Sequence, residues 1–160
     1  MATLSDLPLR WQLFLRTYRW RAIDPVPWTP LRKPLSECRA ALVSSAGFSL
    51  PDQAPFDESV RGGDFSFRVI PGGTDPKVLV NSQHSEVFDH RGMLDDPNLA
   101  FPLDRLSELV GRGRLSSAAA AHLSFMGSIT APGRLVQQTA PEAAALLVKD
   151  RVDIALLVPV

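Results

Sequence analysis

The segment from Thr139 to Val160 constrains the fold more than any other part of this chain. Thr139-Ala-Pro-Glu142 has the form of a helix start: a hydroxyl to accept from free N–H groups, proline at an early helical position, and glutamate three residues on to reach back. The spacing predicts a helix to about Asp150 that buries Ala143, Leu146 and Leu147. Asp153–Val158 follows as a nearly unbroken apolar strand, the pattern of a strand covered on both faces in a parallel sheet. A helix feeding such a strand predicts an α/β fold, a mostly parallel open sheet with flanking helices.

Further strands are predicted at Cys38–Val43, Phe65–Ile70 and Lys77–Asn81, the first ending in the small-residue turn Ser44-Ser-Ala-Gly47 and the last two separated by Pro71-Gly-Gly73. Helices are predicted at Pro102–Val110, with proline at its start and glycine at its end, and at the alanine-rich Ser116–Phe125, which places His122 near a helix end. Met126–Arg134 reads as a loop. Ahead of these, Leu7–Trp20 has the spacing of an amphipathic helix with an aromatic stripe suited to packing or a subunit contact. Asp24–Pro34, with four prolines, can donate regularly to neither helix nor ladder and reads as an extended strap. The division that follows is residues 1–37 for the helix and strap and 38–160 for the α/β domain.

A chain of 160 residues, 45% of them hydrophobic, can bury one sizeable core. Seventeen basic residues balance seventeen acidic ones, so no charge excess points to nucleic acid. No apolar run approaches the roughly 20 residues of a membrane helix. The single cysteine, Cys38, can form neither an internal disulfide nor a multi-cysteine metal site and suits a reducing compartment, which predicts a cytoplasmic protein.

The chemistry-bearing residues concentrate in Ser82–Ala100, which lacks periodicity and reads as a long polar loop. It holds His84, Glu86, Asp89, His90, Asp95, Asp96 and Asn98. Imidazole beside carboxylate can ligate a metal, move a proton or contact substrate, or can simply tie down the loop; no standard zinc spacing is present. Arg68, opposite the phenylalanines of its strand, is a solvent charge or an anion clamp. His122 either sits at a helix end, favoured by the dipole, or takes a site role beside Ser124. Cys38 reads as a buried, inert thiol. The glycine turns at Gly62-Gly63 and Pro71–Thr74 lack the spacings that cradle phosphates, and no nucleophile elbow or metalloprotease motif occurs.

Five segments, Ala41–Gly47, Asp64–Pro71, Asp96–Leu106, His122–Gly127 and Asp153–Val160, together resemble the glycine/sarcosine/betaine/D-proline reductase selenoprotein B family, over about Cys38 to Val160. Two departures stand out: Leu115–His122 lacks the family's glycine and arginine, and Arg151 stands where a turn glycine is usual. The resemblance implies reductive cleavage of C–N bonds in amino acids or amines, a partner subunit carrying a pyruvoyl group, and a selenocysteine, or a cysteine, directly after the segment matching Val158–Val160. On that reading no catalytic residue lies within the chain, which is expected to continue past Val160 through a UGA codon and to be inactive alone. No metal is implied, and a homo-oligomer is an open expectation. Ser44, Ser45, Arg68, His84, Asp89, His90, Asn98 and His122 are the expected substrate-binding residues. The competing readings are a non-catalytic binding or assembly subunit and a metal-dependent enzyme built on the His84–Asn98 loop.

Overall fold

The small, apolar run within Arg39–Ser44 and the alternating Ala121–Phe125 form two strands side by side, and the sheet of the larger unit is built around that pair. The computed structural model describes residues 4–19, 22–82 and 90–160. These fall into two units, one up to Pro30 and one from Leu31 onward. In the first, helix α1 (Leu9–Thr17) stacks Trp11 edge-on to Phe14 at 5.9 Å and Phe14 against Tyr18 at 5.3 Å.

The second unit contains β1 (Arg39–Ser44), β2 (Phe48–Ser49), β3 (Phe67–Pro71), β4 (Val80–Asn81), α2 (Arg91–Asp95), α3 (Leu103–Gly111), β5 (Ser117–Ala118), β6 (Ala121–Phe125), α4 (Ala140–Lys149) and β7 (Ile154–Val158). β1 is central. It pairs in parallel with β5 and then β6 on one side and with β7 on the other, and β3 joins β6 antiparallel. The result is the expected mostly parallel sheet with flanking helices; β2 and β4 form a separate antiparallel pair. Among the described residues no helix is long and apolar enough to cross a membrane.

One face of the sheet is closed. Ala40, Leu42 and Ile70 pack with Phe101, Leu103, Leu106 and Met93 from the α2–α3 region, and Phe48 meets Phe101 edge-on at 6.2 Å. Full burial of a side chain of this size stabilises by roughly 1.5–3 kcal/mol, which makes this face the main source of cohesion.

Several expectations need correction. Ser116–Phe125 is not a helix but two short strands: the high helix propensity of alanine gives way to ladders with β1 and β3 on either side. Thr139 is not a cap. The helical turn begins at Leu135, so Thr139 is already helical, and its hydroxyl donates to the Phe65 carbonyl at 2.6 Å. Lys77–Asn81 is largely a 3-10 turn, Pro76–Val78, started by Asp75 accepting the Lys77 N–H at 2.9 Å; only Val80–Asn81 is strand. The Ser82–Ala100 loop holds α2 and a 3-10 turn at Pro97–Leu99.

The largest correction concerns β7. Its unbroken apolar run predicts a strand covered on both faces, yet Leu156 is 51% and Leu157 69% exposed. Such a run cannot distinguish a central from an edge strand, because the neighbours decide. Among the described residues β7 has a neighbour only in β1. On α4, Ala143 is buried, but Leu146 is exposed and Leu147 only half-buried.

Candidate functional site

The carboxyl ends of β1, β6 and β7 lie together, the position where open α/β sheets receive ligands. Parallel pairing of the first and last strands brings the Ser44–Gly47 turn against Pro159 and Val160. The Ser45 N–H donates to the Val158 carbonyl at 3.1 Å, and the Ser45 hydroxyl accepts from the Val160 N–H at 2.9 Å and donates to its carbonyl at 3.4 Å. Three hydrogen bonds from one residue fix the direction of the backbone where it leaves β7. Ser44 is turned the other way: buried, it donates to the Ala100 carbonyl at 2.7 Å and accepts from the Ala46 N–H at 3.1 Å.

Beside this edge, between α4 and the sheet, lies a cavity of about 880 Å³. Its walls are mostly apolar: Val43, Leu123 and Phe125 from the strands, Met126–Ile129 from the loop after β6, Ala143, Ala144 and Leu147 from α4, and Leu157–Val160. The loop after β6 owes its approach to Gly63, whose φ is +99° and where a Cβ would come within 2.9 Å of the Ile129 backbone. Residues 43, 69, 123 and 157 form a cross-strand row on this open face, and 44, 68, 124 and 158 a parallel row on the closed one.

His122 lies in β6, wholly buried, where its Nδ1 accepts the Leu42 N–H at 3.0 Å. The register explains this. Between paired positions 40↔118 and 43↔123, the β5–β6 side carries two more residues than β1, and the imidazole fills the break by taking a backbone donor the ladder leaves over. An accepting Nδ1 is unprotonated, so the neutral ring holds its proton on Nε2. Burial pushes the pKa down to about 4, opposed by the Asp150 carboxylate. The helix-end reading of His122, with a cationic ring, is therefore replaced by a neutral imidazole inside the sheet. Its Nε2 and the hydroxyl of Ser124, two residues on, are buried without hydrogen-bond partners among the described residues.

Arg68 is not a solvent charge, and its described partners are groups of the protein itself. Its side chain is 14% exposed. The guanidinium donates to the carbonyls of Ala54 at 2.7 Å and Pro55 at 2.9 Å and to the Ser66 hydroxyl at 2.9 Å, and lies 4.2 Å from the centre of the Phe56 ring. Asp64, accepting from Asp57 and Ser66 and facing Arg68, is held below the usual carboxylate range despite the opposing effect of burial. Asn98 ties a turn: its amide bonds Asp96 at 3.0 Å and Asp104 at 2.9 Å, and its carbonyl oxygen accepts the N–H of Asp104 at the start of α3. His90 precedes α2, its carbonyl accepting from Leu94. His84 and Asp89 lie outside the described residues. Among the described residues no three His, Cys, Asp or Glu side chains are grouped to hold a metal.

Of the expected site residues among those described, then, only Ser44 and Ser45 reach the cavity, with His122 on the opposite face of the same strands. What the sequence reading missed is the apolar wall, Phe125, Met126, Leu147 and Leu157, together with the lone hydroxyl of Ser124. The alternation Ala121-His-Leu-Ser-Phe125 carried the signal for a strand at that place.

No protein-family model matches the chain, and no solved structure does. Among curated proteins it is similar to the D-proline reductase subunit gamma of Acetoanaerobium sticklandii, with 34% identity over 136 residues. The match takes in 84% of this chain and 54% of that protein, so the chain spans about half the length of the curated relative it matches. That likeness, over most of the chain, supports the proline/glycine reductase family broadly.

Proposed function

We propose that this chain forms the scaffold and one wall of the substrate pocket in a reductase subunit that cleaves C–N bonds of amino acids or amines. The observation that carries the reading is Ser45 gripping Val160 at the carboxyl edge, beside a cavity large enough for an amino acid. Likeness to a D-proline reductase subunit supports it from a separate direction.

On this reading the reactive selenol or thiol is carried by polypeptide beyond Val160, and a partner subunit supplies a pyruvoyl group. The residues present fit such a group: Ser45 fixes the direction in which the backbone leaves β7, and Leu123, Phe125 and Leu157 would give a group held there an apolar wall on one side. A selenol or thiol so placed supplies a nucleophile of low pKa for reductive cleavage. This chain's own part is to hold the backbone of that group, to orient the substrate's apolar portion against the wall, and to present the Ser45 hydroxyl at the rim. A protein dependent on such a group belongs in a reducing compartment, in keeping with the buried free thiol of Cys38.

Three measurements test the proposal. DNA downstream of the Val160 codon should read TGA followed by an in-frame cysteine codon. The native product should contain selenium and exceed 17.5 kDa. Combined with its pyruvoyl-bearing partner and a dithiol, it should convert D-proline or another amino acid or amine to the C–N-cleaved product, while the 160-residue chain alone does not. A 17.5 kDa native product that assembles with a partner but cleaves no amine would leave a non-catalytic assembly subunit instead. In the active protein Ser45→Ala should lower kcat about tenfold or more with little change in KM, as expected where a reacting group loses its position.

A further inference from the structure

Among the described residues, the outer edge of β7 is an exposed apolar strand edge without the devices that normally protect one. Ser45 donates to the Val158 carbonyl, so the backbone groups of Val158, and of Leu156 and Ile154 by alternation, face β1. Those of Ala155 and Leu157 therefore point to the open side, where no described strand pairs with them. Leu156 and Leu157, on opposite faces, are both exposed, so neither face of the edge is covered. Ile154–Val158 contains no charge and no proline. Strand edges of this composition recruit another strand.

The opposite edge of the sheet cannot be extended. On β3 the Val69 carbonyl accepts from the Gln53 side chain at 2.9 Å, and the strand ends on Pro71, which has no N–H to offer. Among the described residues the β3 edge is thus blocked, and the β7 edge is not. The relative it matches has about as much polypeptide again outside the matched region.

We propose that the β7 edge is the docking surface for polypeptide equivalent to that uncovered half, which adds a strand alongside β7 and pairs with the outward backbone groups of Ala155 and Leu157. The identity of the occupant rests on the reductase-subunit reading; the openness of the edge does not.

The test uses the uncovered half of the Acetoanaerobium subunit as probe, co-expressed with this chain, with amide exchange followed residue by residue. In the chain alone, the Ala155 and Leu157 amides exchange rapidly while those of Leu156 and Val158 are protected. In the complex, the first two slow by about a hundredfold or more, as for amides entering a ladder. Leu157→Asp, at an exposed position, abolishes the complex and leaves Leu156 and Val158 protected, showing that the fold itself is intact. Failure to form a complex, or a complex in which Ala155 and Leu157 still exchange rapidly, overturns the proposal. Protection that rises with the concentration of this chain alone assigns the edge to a second copy and overturns it too. Amine cleavage by the assembled subunit is read separately: protected amides without cleavage keep the docking surface and remove the reductase reading, and cleavage with rapidly exchanging amides does the reverse.

Discussion

The sheet ends on β3 in one manner and on β7 in another. At β3 every device closes the edge: Gln53 occupies the Val69 carbonyl, Arg68 gathers the carbonyls of Ala54 and Pro55 over Phe56, and Pro71 stops the ladder. At β7 the same fold leaves leucines bare on both faces and a cavity under α4. Cohesion and openness are thus segregated: the closed side holds the domain together, and the open side is where Ser45 and Val160 meet the cavity. A domain divided in this way should respond very differently to the same change made on its two sides.

The largest contrast is expected between two truncations. Ile70→Ala, at a wholly buried position, should cost about 2–5 kcal/mol in urea unfolding, and Leu157→Ala less than about 1 kcal/mol. Similar losses at both positions would mean that the β7 side is covered in solution and would break the comparison.

Acid should act on the closed side through His122. Its folded pKa of about 4 lies below the unfolded 6.5, so the unfolded chain binds the proton more readily. The resulting stability is complete above about pH 6.5 and is lost as pH falls from there toward 4, by about 3 kcal/mol at most. The carboxylates of Asp64, Asp96 and Asp153 are shifted below 3.8, so the stability they give is lost only at still lower pH. In His122→Gln the loss between pH 6.5 and 4 should disappear from the urea-midpoint profile; an unchanged profile would assign it elsewhere. Smaller again, Arg68→Ala should cost about 1–2 kcal/mol through the released carbonyls. Arg68→Lys should recover only part of this, since an ammonium cannot reproduce the planar fork that reaches Ala54, Pro55 and Ser66 together.

How much of this the sequence disclosed follows the same division. β1, β3 and α3 were legible because their signals are local: alternation, a flanking glycine or proline, a leucine stripe. The parallel strand pair that creates the site was expected from the apolar run Ile154–Val158, but its exposure was not, because burial depends on what stands beside a strand. β6 was misread since four alanines before His122 outweigh, locally, an alternation that pays only once β1 and β3 flank it. Arg68 and Asn98 carry the residue types of a binding site yet serve backbone carbonyls and turns. Side-chain type announces what a group can bond, and only the fold decides what is within reach.

The smallest expected effect concerns the turn that delivers the chain into β7. At the end of α4 the Val152 N–H bonds the Leu147 carbonyl and the Arg151 N–H the Val148 carbonyl, both at 3.0 Å, the paired bonds of a left-handed helix stop. Arg151 occupies its central position with φ of +55°, a conformation in which a Cβ is crowded and glycine is not. The turn is held in place on both flanks: Asp150 accepts from the Ala120 N–H at 2.7 Å, and Asp153 accepts from the Arg39 N–H at 2.8 Å and pairs with Lys33 at 2.7 Å. These bonds fix the backbone whatever stands at 151, so the side chain there bears the strain. Arg151→Gly should therefore stabilise by up to about 1 kcal/mol, the relief of the left-handed backbone being partly offset by the greater freedom of glycine when unfolded. Arg151→Ala removes the charge but keeps the Cβ and should gain nothing in the same urea titration. Equal gains from glycine and alanine would place the effect in the arginine side chain, and the strain at the entry to β7 would then be absent.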